Sequence, residues 1–134
     1  LSSSSAASDV YKRQDQKVYQ LMKDIFDTLH KDLFESLKMG LAICDMDGVL
    51  LYVNAAYADL VGYKVDEIYK LSYWDITPKR YEEQEGVQIE KLTQFGEYGP
   101  YDKEYIHQDG TLIPVRLHGK IVDIDGINYI WSSV

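Results

Sequence analysis

Three Asp-Gly pairs constrain this chain more than any other feature: Asp47-Gly48, Asp109-Gly110 and Asp125-Gly126. Each lies between β-rich runs, and such a pair is the strongest short-range signal for a two-residue hairpin, because a type I′ turn needs positive φ at both central positions. Gly48, Gly110 and Gly126 are therefore expected structural residues. The runs they join are "LAICDM" with "VLLYV", "DKEYIHQ" with "TLIPVRLHGKIVDI", and that long run with "INYIWSSV". Five strands in an antiparallel sheet follow, with residues 54 to 98 inserted between the second and third.

Residues directly opposite in an antiparallel pair share a face of the sheet. The first hairpin is expected to pair Met46 with Val49, Cys44 with Leu51 and Ala42 with Val53. The second pairs Ile106 with Ile113 and Glu104 with Val115, and the third pairs Ile121 with Ile130 and Leu117 with Val134. A single bulge would invert part of this assignment. Both faces carry apolar residues, so both must be covered. The face with Ala42, Cys44, Leu51, Val53, Ile106, Ile113, Val115 and Leu117 is expected under the inserted helices, whose short connection to Val53 puts them there.

Within the insertion, Asn54 can cap "AAYADLV", a short helix ending at Gly62, and "VDEIY" supplies about one further turn. The stretch "ITPKRYEEQEGVQIEKLTQFG" offers Thr77 as N-cap, Pro78 at the first helical position and Gly96 as the stop. Asn54 thus reads as an architectural residue, whose loss as a cap costs about 1 kcal/mol.

Ahead of the sheet, Val18, Leu21, Met22, Ile25, Phe26, Leu29, Leu33, Phe34 and Leu37 recur at three- and four-residue steps with charges between them. That spacing predicts an amphipathic helix over residues 15–38, stopped by Gly40. Its length of about six turns exceeds what a small sheet can cover, so it is expected both to pack on its own domain and to form a dimer seam. Leu1 to Gln14 is small, polar and aperiodic. It reads as a disordered or adaptor-derived leader.

The 134 residues suit one domain plus tails. A formal net charge of -8 argues against nucleic acid and anionic membrane surfaces, which are bound through clustered Lys and Arg. The single cysteine, Cys44, rules out an internal disulfide and a Cys-rich metal cage, and suits a reducing, cytoplasmic compartment. No apolar run approaches the roughly 20 residues of a membrane span.

"AICDMDGVLLYVNAAYADLVGY", "YWDITP" and "YDKEYIHQDGTLIPVRLHG", in this order and at these spacings, resemble a PAS domain of the bacterial sensory-box kind over about residues 39 to 134. The resemblance implies an α+β fold: a five-stranded antiparallel sheet with helices inserted between strands 2 and 3, a small interior cavity, and an N-terminal cap helix on the outer face that often mediates dimers. It also implies a signalling role in a larger protein, such as a sensor kinase or a cyclic-dinucleotide enzyme. In such proteins an exit segment and helix, expected beyond Val134, lead to an output domain.

Photoadduct flavin members carry a reactive cysteine where this chain reads "SYWDITPKRYEEQ", with none; haem members supply a histidine from the long helix, and residues 77 to 96 contain none. Both cofactors are disfavoured. His30, His107 and His118 have no second ligand at metal spacing, so no metal is expected. A small organic or carboxylate ligand remains, or none. The candidate wall comprises Tyr57, Leu60, Tyr73, Trp74, Tyr81, Gln88 and Leu92 on the helices, with Glu104, Ile106, Val115 and Ile130 on the sheet. Glu104 pointing inward would need a partner such as Arg80, Tyr57, a water or a ligand.

No phosphate-cradling G-x-x-x-x-G-K-[ST] loop occurs, no nucleophile-and-base grouping emerges, and "YEEQE" reads as a solvated helix face. The chain is therefore expected to sense rather than catalyse. The alternative is a ligand-free dimerisation or docking module. A homodimer interface is expected at Leu21, Ile25 and Leu29 of the cap helix with Tyr52 and Trp131 of the outer sheet face.

Overall fold

The computed structural model describes residues 3–134. Helix α1 (Ser3–Ser36) is followed by strands β1 (Leu41–Cys44) and β2 (Leu50–Val53), then helices α2 (Ala55–Val61) and α3 (Val65–Ile68). A 3-10 turn (Lys79–Tyr81) leads into α4 (Glu82–Phe95), and β3 (Glu97–Ile106), β4 (Leu112–Ile124) and β5 (Ile127–Ser133) complete the chain. The chain divides into two units, one ending at Phe34 and one running from Glu35 to Val134. α1 takes in, from Ser3 on, the segment that reads as a leader; Leu1 and Ser2 lie outside the described residues. Along α1 the apolar stripe Leu21, Ile25 and Leu29 is exposed.

In the second unit the five strands form one antiparallel sheet in the order β2-β1-β5-β4-β3. The third Asp-Gly pair behaves as the sequence predicts. Ile124 pairs with Ile127 across a two-residue turn in which Asp125 has φ 53° and Gly126 φ 82°, and Ile121 pairs with Ile130.

The other two pairs do not make two-residue turns, although Gly48 and Gly110 also have positive φ. In the first, Asp45 Oδ1 accepts from the backbone N–H groups of Asp47 and Val49, at 2.9 Å each, and organises a wider loop. Ala42 still pairs with Val53, but a bulge brings Cys44 opposite Leu50 rather than Leu51. Leu50 is therefore buried and Leu51 exposed. In the second, Asp109 Oδ1 accepts from Thr111 N at 2.9 Å, and Ile106 pairs with Leu112 rather than Ile113. Glu104 consequently faces Pro114, and Lys103 takes the place opposite Val115. Because side chains alternate along a strand, this one-residue slip turns the whole end of β3 over. Tyr101, Lys103 and Tyr105 face inward, and Glu104 and Ile106 do not.

The inner face, with Ala42, Cys44, Leu50, Val53, Tyr98, Tyr105, Val115, Leu117 and Ile130, packs into a single core with Tyr57, Ala58, Val61, Ile68, Ile76 and Leu92 from the insertion. Cys44 is buried, and burial together with Asp45 pushes its thiol up to about 12, which keeps it protonated and inert. Gly62 closes α2 in the left-handed conformation, φ 78°, with its N–H bonded to Ala58 O. A side chain there would meet the His107 ring at 2.2 Å and force that ring to move, in addition to the strain of the positive φ.

Asn54 joins three elements. Its Oδ1 accepts from Tyr57 N at 3.0 Å, capping α2, and from Leu41 N at 2.9 Å at the start of β1. Its Nδ2 donates to Met39 O at 3.0 Å, and the residue is fully buried. Losing the amide therefore removes a cap and strips two further backbone groups of partners. Asn54→Ala is expected to cost about 3 kcal/mol, not the ~1 kcal/mol of an isolated cap. Urea denaturation checks this; a loss below about 1 kcal/mol would mean the β1 contacts contribute nothing.

Candidate functional site

The slip of β3 builds the interior. Lys103 is carried inward under α4, its side chain 1% exposed, and its Nζ donates to Thr77 Oγ1 at 3.0 Å and to Glu85 Oε1. Glu85, on the first turns of α4, also accepts from the Tyr101 hydroxyl and is itself buried. The ammonium lies 4.9 Å from the ring centroid of Tyr105, 5.4 Å from Tyr73 and 6.0 Å from Tyr101. Three π faces and one carboxylate thus replace the water that a buried ammonium loses. Thr77 does not cap the long helix: its hydroxyl donates to Tyr73 O at 2.7 Å and accepts from Lys103. The 3-10 turn before α4 takes over that entry.

Burial lowers the Lys103 pKa from its ordinary value, and Glu85 partly offsets this. The surrounding phenols move the other way. Burial raises Tyr57, Tyr73 and Tyr105, and burial with the Glu85 charge raises Tyr101. Tyr98, whose hydroxyl shares a 2.9 Å hydrogen bond with Ser132 Oγ, is pushed up to about 12 by burial. The interior therefore sets one lysine–carboxylate contact among hydroxyls that burial keeps protonated.

These groups border a small cavity of about 30 Å³, lined by Tyr57, Tyr73, Glu85, Gln88, Tyr98 and Lys103 among others. At about 10–15 Å³ for each water-sized centre, it admits two or three non-hydrogen atoms. Two polar atoms of lining residues, Tyr57 Oη and Gln88 Oε1, are enclosed by protein and lack a normal hydrogen-bond partner among the described residues. The Tyr57 and Tyr105 rings meet edge to face at 5.9 Å, and the interaction between their hydroxyls lowers the Tyr57 pKa and raises that of Tyr105, against the dominant effect of burial.

Of the wall residues expected from the sequence, the structure brings together Tyr57, Tyr73, Gln88, Leu92 and Ile130. It does not place Leu60, Trp74, Tyr81, Glu104, Ile106 or Val115 on the cavity. Val115 lies on the inner face and is buried, but is part of the packed core. Glu104 is turned to the rim, where Arg80 pairs with it and the Tyr81 hydroxyl donates to it at 2.8 Å. The residues missed were Glu85, Tyr98, Tyr101, Lys103 and Tyr105. One signal could have found Tyr101, Lys103 and Tyr105: Asp102 and Glu104 alternate with them, and two carboxylates on one strand face point to solvent more readily than three residues of which two are aromatic. Asp102 does face outward, bonded to Arg116 at 2.7 Å.

Residues 34–124, more than half of the chain, match a family model described as the PAS fold. No curated protein matches. Among solved structures, a domain of the sensory box sensor histidine kinase/response regulator from Geobacter sulfurreducens is similar at TM-score 0.66 and 23% identity, over 80% of this chain and 90% of that one. A PAS domain from a two-component sensor histidine kinase is similar at TM-score 0.71 and 14% identity, covering 83% and 96%. The PAS domain of a Colwellia psychrerythraea protein is similar at TM-score 0.73 and 12% identity, covering 81% and 95%. At these identities the likeness speaks for the fold, and the family model speaks for descent. With helices α2 to α4 inserted between β2 and β3 of a five-stranded antiparallel sheet, this chain belongs to the PAS family.

Proposed function

We propose that this chain is a sensory module of a bacterial signal-transduction protein, one that takes a small ligand into the cavity between α4 and the sheet. The Lys103–Glu85 pair on the wall of an otherwise largely apolar cavity carries this reading, because ligand sites are mostly apolar with a few placed polar groups. Occupancy alters how α4 packs on β3, where the Lys103–Glu85 pair ties the two together, and the change passes to an output domain in the same full-length, cytoplasmic chain. Any such shift is limited by the ligand's preference between two packings. Among the described residues no helix is long and apolar enough to cross a membrane. Native mass spectrometry of protein taken from cells, with extraction of bound small molecules, tests the sensing role. Repeatedly empty protein, with no thermal shift across a metabolite library, contradicts it.

A second reading is favoured by the size of the cavity, which is far below the roughly 300 Å³ of ordinary ligand sites. Here the module binds no ligand and acts by association. In either case two surfaces are proposed for homodimer formation, the exposed stripe Leu21, Ile25 and Leu29 of α1 and, separately, Tyr52 and Trp131 of the outer sheet face. Ile25→Glu is expected to shift sedimentation toward monomer, and an unchanged profile refutes the helix seam.

A further inference from the structure

The cavity lies under α4 and is largely enclosed, so a molecule that enters it must displace part of the wall, and the wall is not held evenly. Ahead of α4, Ile76 is 1% exposed and its carbonyl accepts from Ile106 N at 2.7 Å. Farther along α4, Leu92 is fully buried in the core. Between these anchors, residues 77–87 bury no apolar side chain. What ties that stretch to β3 is polar. Arg80 pairs with Glu104, the Tyr81 hydroxyl donates to Glu104 at 2.8 Å, and Gln84 Nε2 donates to Asp102 O at 2.9 Å. Glu85 accepts from Tyr101 and Lys103, and it is the one residue of the stretch on the cavity wall.

Such ties part more easily than apolar packing, because water takes their place. Moving Glu85 outward rehydrates both charges of its pair, and the solvation recovered offsets the attraction lost. Buried apolar side chains have no such substitute in water. A stretch with few buried apolar contacts is the kind that opens locally while the rest of a domain stays folded. Gly86 stands directly behind Glu85, inside α4 and exposed. Its φ is not positive, and a Cβ there would meet nothing within 4 Å. Neither space nor backbone conformation calls for glycine, yet in a helix interior it favours the unwound turn about fivefold relative to alanine.

We infer that residues 78–85, the 3-10 turn and the first turn of α4, form a lid over the cavity, hinged at Gly86 and latched by Glu85 on Lys103 and Tyr101. Opening takes Glu85 off the wall and leaves Lys103 facing the entrance, while the rest of α4 stays docked through Leu92. The inference rests on the sensory reading for what the lid admits. The opening itself is measured with no ligand, so empty protein from cells would count against sensing alone, and a fixed lid against the gate alone.

Cys44, the single cysteine, lines the cavity and is 3% exposed, so its labelling by methyl methanethiosulfonate reports access. The thiolate takes the methylthio group and methanesulfinate leaves. The adduct adds two non-hydrogen atoms, which the cavity of about 30 Å³ holds. Labelling, followed by intact mass at one pH, is expected to proceed at a rate nearly independent of urea below the unfolding transition, because a local opening exposes little surface. Gly86→Ala should slow it about fivefold. Tyr81→Phe, which removes one tie of the lid and nothing from the cavity wall, should speed it about fivefold. Labelling that climbs with urea at the full slope of global unfolding, or a rate unchanged in Gly86→Ala, overturns the lid.

Discussion

Raising the pH above 10 is expected to unfold this domain in one cooperative step, before its buried phenols ionise in place. Tyr57, Tyr98 and Tyr105 are 1%, 9% and 2% exposed, and burial raises the pKa of each above its ordinary value. A group whose folded pKa is raised contributes stability that is fully present below the unfolded value, here 10, and is lost as pH climbs toward the folded one. Each such tyrosine removes about 1.4 kcal/mol per pH unit, so three remove about 4 kcal/mol per unit. Lys103 has the opposite sign, since its folded pKa is lowered: stability rises with pH between that value and 10.5, and above 10.5 the lysine adds nothing further. The phenols, together with the Cys44 thiol whose folded pKa is likewise raised from 9.0 to about 12, then act against a total stability of about 5–15 kcal/mol. Ultraviolet absorbance of tyrosinate, recorded alongside far-ultraviolet circular dichroism, checks this. Exposed tyrosines should titrate gradually, and the buried set in one step that coincides with loss of secondary structure. All 12 tyrosines titrating smoothly in a folded protein would contradict the arrangement.

The second large effect is at the ion pair. Lys103→Met is expected to cost about 3–5 kcal/mol, because it leaves the Glu85 carboxylate buried with only the Tyr101 hydroxyl on it. Replacing both partners is a different matter. Glu85→Leu with Lys103→Met removes both desolvation costs, and the double variant should recover most of the loss. A double-mutant cycle by urea denaturation reads this as strong non-additivity. Additive losses would mean that the two side chains do not share one buried pair.

Asn54 was legible from the sequence because its signal is local: a strand pattern, an amide and a helical run in immediate succession. The third hairpin was legible for the same reason, since Asp125 and Gly126 supply both positive φ angles on their own. The first two were not. There the side chains of Asp45 and Asp109 fold back onto backbone amides and widen the turns, so the Asp-Gly pair ceases to set the register. That local preference decided the candidate site: with β3 slipped by one residue, Glu104 went to the rim and Lys103 to the interior. The exchange is sensible energetically once seen, since Glu104 finds Arg80 and Tyr81 at the surface while Lys103 finds a carboxylate, a hydroxyl and three rings inside. None of those partners is close to Lys103 in sequence except the two flanking tyrosines, which is why strand alternation was the only cue.

The proposed sensory role depends on a small molecule occupying the cavity beside the Lys103–Glu85 pair. A high-resolution crystal structure of the protein purified from cells tests that most directly. The expected result is density for a small molecule, larger than water, in the cavity beside Lys103 and Glu85. A cavity that is closed, or that holds water alone, would contradict it.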